Sequence, residues 1–254
     1  LQLPTYAQQA PEDCEDGRYT LGIQHLFNIS QSEELYGTNL DAAGDEIELM
    51  MTIFTPDDDV VENRPVVILA FGGSFVAGQR SDMFEICNLL AMQGVVAVSI
   101  DYRLYPMAKL GFPTIPGFYD AAIKAVGDLK GAVRHIRKLV DNGNPYNMDA
   151  DRIMLGGLSA GAIAALHAAA LSEDDELDAS LTALIDNNGG LEGNTGDVEN
   201  LSYSSEVLGV INLSGALLDP TILKTSDNIA IISMHGTNDG TVPYGSGNAL
   251  GLIP

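Results

Sequence analysis

Gly157-Leu158-Ser159-Ala160-Gly161 is a complete G-x-S-x-G, set between the apolar run Arg152-Ile153-Met154-Leu155 and the helix-forming run Ala162 to Leu171. On such a strand-to-helix turn the flanking glycines let the backbone bend sharply. The serine hydroxyl is then exposed above a sheet, and the next backbone N–H is aimed at an incoming oxyanion. Those are the requirements of a nucleophile for acyl transfer, so Ser159 is the candidate nucleophile and the Ala160 amide a candidate oxyanion donor. A purely structural turn would carry the same residues; the strand before it and the helix after it favour the chemical reading.

Acyl transfer needs further donors where negative charge develops on the carbonyl oxygen. Phe71-Gly72-Gly73-Ser74-Phe75 follows the strand-like run Pro65-Val66-Val67-Ile68-Leu69-Ala70, and the amides of Gly73 and Ser74 are the expected partners of Ala160. Each such donor lowers the barrier by roughly 3 to 4 kcal/mol. The acid is expected on the loop after a late strand, where Asp239 lies in His235-Gly236-Thr237-Asn238-Asp239-Gly240-Thr241-Val242-Pro243-Tyr244; Asp219, after the preceding strand, is its rival, and either could be a turn aspartate.

A base is harder to find. No histidine follows His235. His25 falls in the opening strand region and His135 on a basic helix, while His235 ends a strand just ahead of Asp239. His167 lies on the same helix as Ser159 but about 12 Å further along its axis at 1.5 Å per residue.

These residues need a scaffold, and strand and helix signals alternate as in a mostly parallel sheet wrapped by helices. Residues 19 to 30 and 46 to 55 read as an opening antiparallel pair. Core strands then follow at 65–70, 95–100, 152–155, 207–213 and 229–234, short and rich in β-branched residues. Between them the clearest helix runs from about Gly117 to Val140, with Ala122, Val126, Leu129, Val133, Ile136 and Val140 on one face. Lys124, Lys130, Arg134, Arg137 and Lys138 occupy its other face, which reads as solvated. Residues 172–206, with Glu173-Asp174-Asp175-Glu176 and Asp186-Asn187-Asn188-Gly189-Gly190, form an acidic, turn-rich insertion that could be a lid over the serine. Its oxygen ligands do not follow the EF-hand spacing, so no metal is expected.

The 254 residues suit one α/β domain, and 35 acidic against 12 basic residues give a net charge of -23. Nucleic acid and anionic membranes would be repelled, and neutral substrates are favoured. No apolar run is long enough to span a membrane. The start at Leu1 and the polar stretch Gln8 to Asp13 read as a processed end, so a secreted or periplasmic location is expected. Cys14 and Cys87 could be two buried thiols or form one disulfide, which on the chain-entropy model would contribute about 4 kcal/mol.

The chain resembles an α/β-hydrolase carboxylesterase of the hormone-sensitive-lipase and carboxylesterase/cholinesterase groups, most like exported bacterial esterases. The resemblance is carried by Phe71 to Phe75, by Asp101-Tyr102-Arg103-Leu104, by Asp151-Arg152-Ile153 leading into Gly156 to Gly161, and by His235 to Pro243. It implies a serine hydrolase acting on small or polymeric esters through an acyl-enzyme on Ser159, with no cofactor. Two departures stand out. Phe71 replaces the histidine usual at the head of the oxyanion loop, and Gly251-Leu252-Ile253-Pro254 comes where the family continues into a last strand, the catalytic histidine and a closing helix. The fold is therefore expected to lack that strand and helix, and the chain alone to be inactive. A non-catalytic binding or adhesion module on the same fold, or a serine peptidase or acyltransferase, would fit the same residues.

Overall fold

A computed structural model of the chain describes residues 19, 27–57, 59–224 and 228–251. Among the described residues seven strands form one sheet in the order β1-β2-β4-β3-β5-β6-β7. They are β1 (Ile29–Leu40), β2 (Glu46–Pro56), β3 (Arg64–Ala70), β4 (Val96–Ile100), β5 (Met148–Leu158), β6 (Gly209–Leu213) and β7 (Ala230–Met234). β1 and β2 pair antiparallel, β2 pairs antiparallel with β4, and β4-β3-β5-β6-β7 are all parallel. Every residue of β4 is buried, as a central strand covered on both faces requires.

The opening strand lies later than the sequence pattern places it. β1 runs from Ile29 rather than from residue 19, and residues 20–26, with His25, lie outside the described residues. On β1 Tyr36 is the single buried residue, so this edge strand has little of the apolar signal that drew the reading upstream.

Four helices matter for the site: α1 (Phe84–Ala91), α2 (Ile115–Asp141), α3 (Ala160–Ala170) and α4 (Ala179–Asn187). The Cys87 thiol sits fully buried in α1, and burial pushes its pKa up to about 12. Its expected partner Cys14 lies outside the described residues, and no disulfide is present among them.

The basic face of α2 is not solvated, which corrects the sequence reading. Arg134 and Lys130 are 1% and 5% exposed. The acidic insertion covers them: Lys130 Nζ pairs with Glu192 Oε1 at 2.8 Å, and Arg134 donates to the Glu192 and Thr195 carbonyls at 2.9 and 3.2 Å. Lys138 meets Asp197 and Glu199 at 2.8 and 2.9 Å. Glycines make this approach possible. A methyl on Gly131 would lie 3.0 Å from Thr195 Cβ, and one on Gly127 would lie 3.3 Å from Gly193 Cα. Beneath the seam the Arg103–Asp128 ion pair, 2.8 Å long and nearly fully buried, also receives the Thr195 hydroxyl. The insertion is therefore fastened to the body of the fold by its own charges.

Candidate active site

Ser159 caps α3 with φ 52 and ψ -117, so the chain reverses at the serine between β5 and the helix. Its N–H donates to the Leu213 carbonyl at 2.8 Å, and its carbonyl accepts from Ile163 N at 2.9 Å. A side chain on Gly161 would fall 2.2 Å from the Ala70 carbonyl oxygen, and one on Gly157 would fall 2.5 Å from the Gly161 carbonyl carbon. Only glycine fits at either position, which is the steric meaning of the motif.

The loop after β3 lies against this turn, since a methyl on Gly72 would sit 3.3 Å from Ser159 Cβ. Gly73, Ser74 and Phe75 take φ values of 129, 56 and 61, and the Gly73 carbonyl closes the bend by accepting from Val76 N and Ala77 N at 3.0 and 3.1 Å. Among the described residues the amides of Gly73, Ser74 and Ala160 donate to no protein acceptor. Ser74 and Ala160 line a crevice of about 30 Å³ together with Ser159. The amide of Ala160 also opens α3, so the helix dipole favours negative charge at that point. Phe71, in place of the family histidine, is held by packing: its ring stacks on Tyr102 at 4.3 Å, and the Tyr102 hydroxyl donates to the Phe71 carbonyl at 2.9 Å.

The loop after β7 reaches the same crevice through Thr241 and Val242. Its Asp239 carboxylate accepts from the N–H groups of both, at 2.8 and 2.9 Å, and these bonds hold its pKa below the usual carboxylate range. Asp219 is a turn aspartate too: it accepts from Thr221 N and Oγ1 at 2.8 and 2.7 Å, which lowers its pKa. It lies on the wall of a different and larger space, a cavity of about 560 Å³ bounded by α2, α3, α4 and the loop after β6. Leu181 and Ile185 of α4 belong to that wall, so the insertion roofs the cavity beside the serine rather than the serine crevice itself.

No imidazole among the described residues hydrogen-bonds to Ser159. His167 donates from Nδ1 to the Ile163 carbonyl at 2.8 Å and accepts the Leu218 N–H at Nε2, 3.2 Å away; burial lowers its pKa. The His235 Nε2–H donates to the Val242 carbonyl at 2.8 Å, and at 3.6 Å Asp239 is only a loose neighbour. His135 is half-buried on α2, with its buried Nε2 unpartnered and its pKa lowered by burial. Among the described residues β7 forms the edge of the sheet, with Ile232 and Met234 60% and 64% exposed. Among the described residues no helix is long and apolar enough to cross a membrane, and no cluster of metal-ligating side chains occurs.

Residues 51–218, more than half of the chain, match the BD-FAE family model. Acetylcholinesterase of Gallus gallus is 31% identical over 142 residues, covering 55% of this chain and 17% of that protein. Para-nitrobenzyl esterase of Bacillus subtilis is 32% identical over 126 residues, covering 48% and 25%. The chain thus spans a quarter or less of the length of these two curated relatives. Among solved structures, a thermophilic esterase of the planctomycete Thermogutta terrifontis superposes with a TM-score of 0.58 at 18% identity, over 84% of this chain and 72% of that one. At such low identity the likeness shows the fold, which is that of the α/β-hydrolases.

Proposed function

Because this chain belongs to the BD-FAE family, an esterase-like branch of the α/β-hydrolases, we propose that it hydrolyses carboxylic esters through an acyl-enzyme on Ser159. One observation carries the reading: a serine held at φ 52 beside three uncommitted amides, those of Gly73, Ser74 and Ala160. Attack of Ser159 Oγ on the ester carbon moves the carbonyl electrons onto oxygen, and the three amides receive that oxyanion. Collapse passes the serine proton through the base to the leaving oxygen, expels the alcohol and leaves the acyl-enzyme, which water, deprotonated by the same base, cleaves through a second tetrahedral intermediate that returns the proton to Ser159. Asp239, ionised and fixed by its own turn, is the group that orients the base. The reading requires that base to be an imidazole from outside the described residues.

A fluorophosphonate probe tests the nucleophile. The native protein should be labelled at Ser159, and Ser159→Ala should abolish both labelling and hydrolysis of p-nitrophenyl butyrate. Labelling at another residue, or activity that survives the substitution, removes Ser159 from the mechanism. A native protein that takes no label while retaining its fold is instead a binding module, the reading favoured by the free serine hydroxyl.

A further inference from the structure

We propose that the cavity of about 560 Å³ binds an uncharged, unbranched aliphatic chain of the ester and rejects anionic substituents. The inference rests on the reading of Ser159 as the nucleophile. Four residues, Phe75, Ile163, Val242 and Ala249, belong to the walls of both the cavity and the serine crevice. The cavity therefore adjoins the serine crevice, which places a chain lodged in it next to Ser159. The volume falls within the range of small-molecule sites, roughly 300 to 1,000 Å³.

The chemistry of the wall selects the occupant. Leu, Ile and Val dominate it, from Val126 on α2 through Leu166 on α3 to Leu181 and Ile185 on α4. Among the described residues no lysine or arginine lines it, although five cations lie elsewhere on α2. They are drawn instead to the insertion and the acidic residues around it, as with Lys130 on Glu192 and Lys124 on Asp120. Two of the polar side chains that line the cavity are already engaged, and the hydroxyls of Tyr119, Tyr244 and Ser246 are uncharged. His167 uses both ring nitrogens, and the Asn212 amide is spent on Ser233 Oγ and Gly215 N at 3.1 and 2.8 Å. The remaining charge is the Asp219 carboxylate, which repels an anion. An acidic substituent would lose its water without gaining a cation to pair with, whereas a hydrocarbon chain loses nothing.

Binding of 1-hexanol, 1-octanol and 1-decanol to the native protein and to Ser159→Ala, measured by calorimetry, tests the cavity without requiring catalysis. Affinity should rise about fourfold per methylene, equally in both proteins, and decanoate at pH 7 should bind at least tenfold more weakly than 1-decanol. Leu181→Trp, which fills the cavity, should flatten the chain-length dependence; Ile185→Phe serves the same purpose if the first variant does not fold. A flat series in the native protein, decanoate binding as tightly as decanol, or methyl cinnamate binding more tightly than 1-decanol would overturn the proposal. Failure of the serine reading looks different: fluorophosphonate labelling is lost while the alkanol series stays intact.

Discussion

Asp128→Asn should destabilise the fold by about 3 kcal/mol, the lower end of the 3 to 5 kcal/mol typical when one partner of a buried ion pair is removed. Asp128 is completely buried and Arg103 is 2% exposed. The carboxylate takes the Arg103 backbone N–H at 2.8 Å, its Nε at 3.0 Å and the Thr195 hydroxyl. Asparagine keeps the volume, so no cavity opens, but it removes the charge and turns one acceptor into a donor facing donors. The guanidinium retains the Leu40 and Lys124 carbonyls at 2.9 and 3.2 Å, which is why the lower figure applies. With a urea m-value of about 3 kcal/mol/M for a chain of this size, the midpoint should fall by about 1 M with m unchanged. The paired change Arg103→Met with Asp128→Leu should cost less than Asp128→Asn alone, because both charges leave together. A midpoint shift under about 0.3 M for Asp128→Asn would show that the pair does not carry the seam between α2 and the insertion.

Asp239→Asn should preserve its turn, since an amide oxygen can accept from Thr241 N and Val242 N as the carboxylate does, yet lower kcat by a factor on the order of 10⁴; if Asp219→Asn does this instead, the acid lies on the earlier loop. Stability should decline as pH falls from about 6.5 toward 5, because burial lowers the pKa of His135 and His167 and the unfolded chain takes up protons that the folded one refuses. The slope is at most about 1.4 kcal/mol per pH unit for each histidine, and His135→Asn should roughly halve it in urea titrations. The carboxylates held low by their partners, such as Glu192 and Asp197, lose their contribution only at lower pH.

The turns after β5, β3 and β7 are legible in the sequence because each follows a short apolar strand directly and carries residue types that are sterically dictated. What lay across the sheet from them was less visible. The position of β1 is not legible in the sequence, because an edge strand that buries only Tyr36 carries almost no hydrophobic period. From the sequence the basic face of α2 reads as solvated, because periodicity tells which residues avoid the apolar stripe and nothing about what covers them. One signal was present all the same. Gly127 and Gly131, four apart inside a long helix, each weaken it by roughly 1 kcal/mol relative to alanine. Such a pair is tolerated where another backbone comes close, as Gly193 and Thr195 do. Arg103 was part of the recognised Asp101-Tyr102-Arg103 segment, but its partner Asp128 sits on the helix with no local pattern to announce it.

The backbone at Ser159 has a consequence beyond its geometry. At φ 52 and ψ -117 glycine is at ease, and any other residue stays at a cost on the order of 1 to 3 kcal/mol. The serine's own bonds do not select that conformation. It is imposed by the Leu213 carbonyl on one side and by the closure of α3 over Ala70 on the other. Robustness and reactivity therefore compete for a single position. A lineage selected for folding alone would drift to glycine at residue 159 and become sturdier as it lost its chemistry.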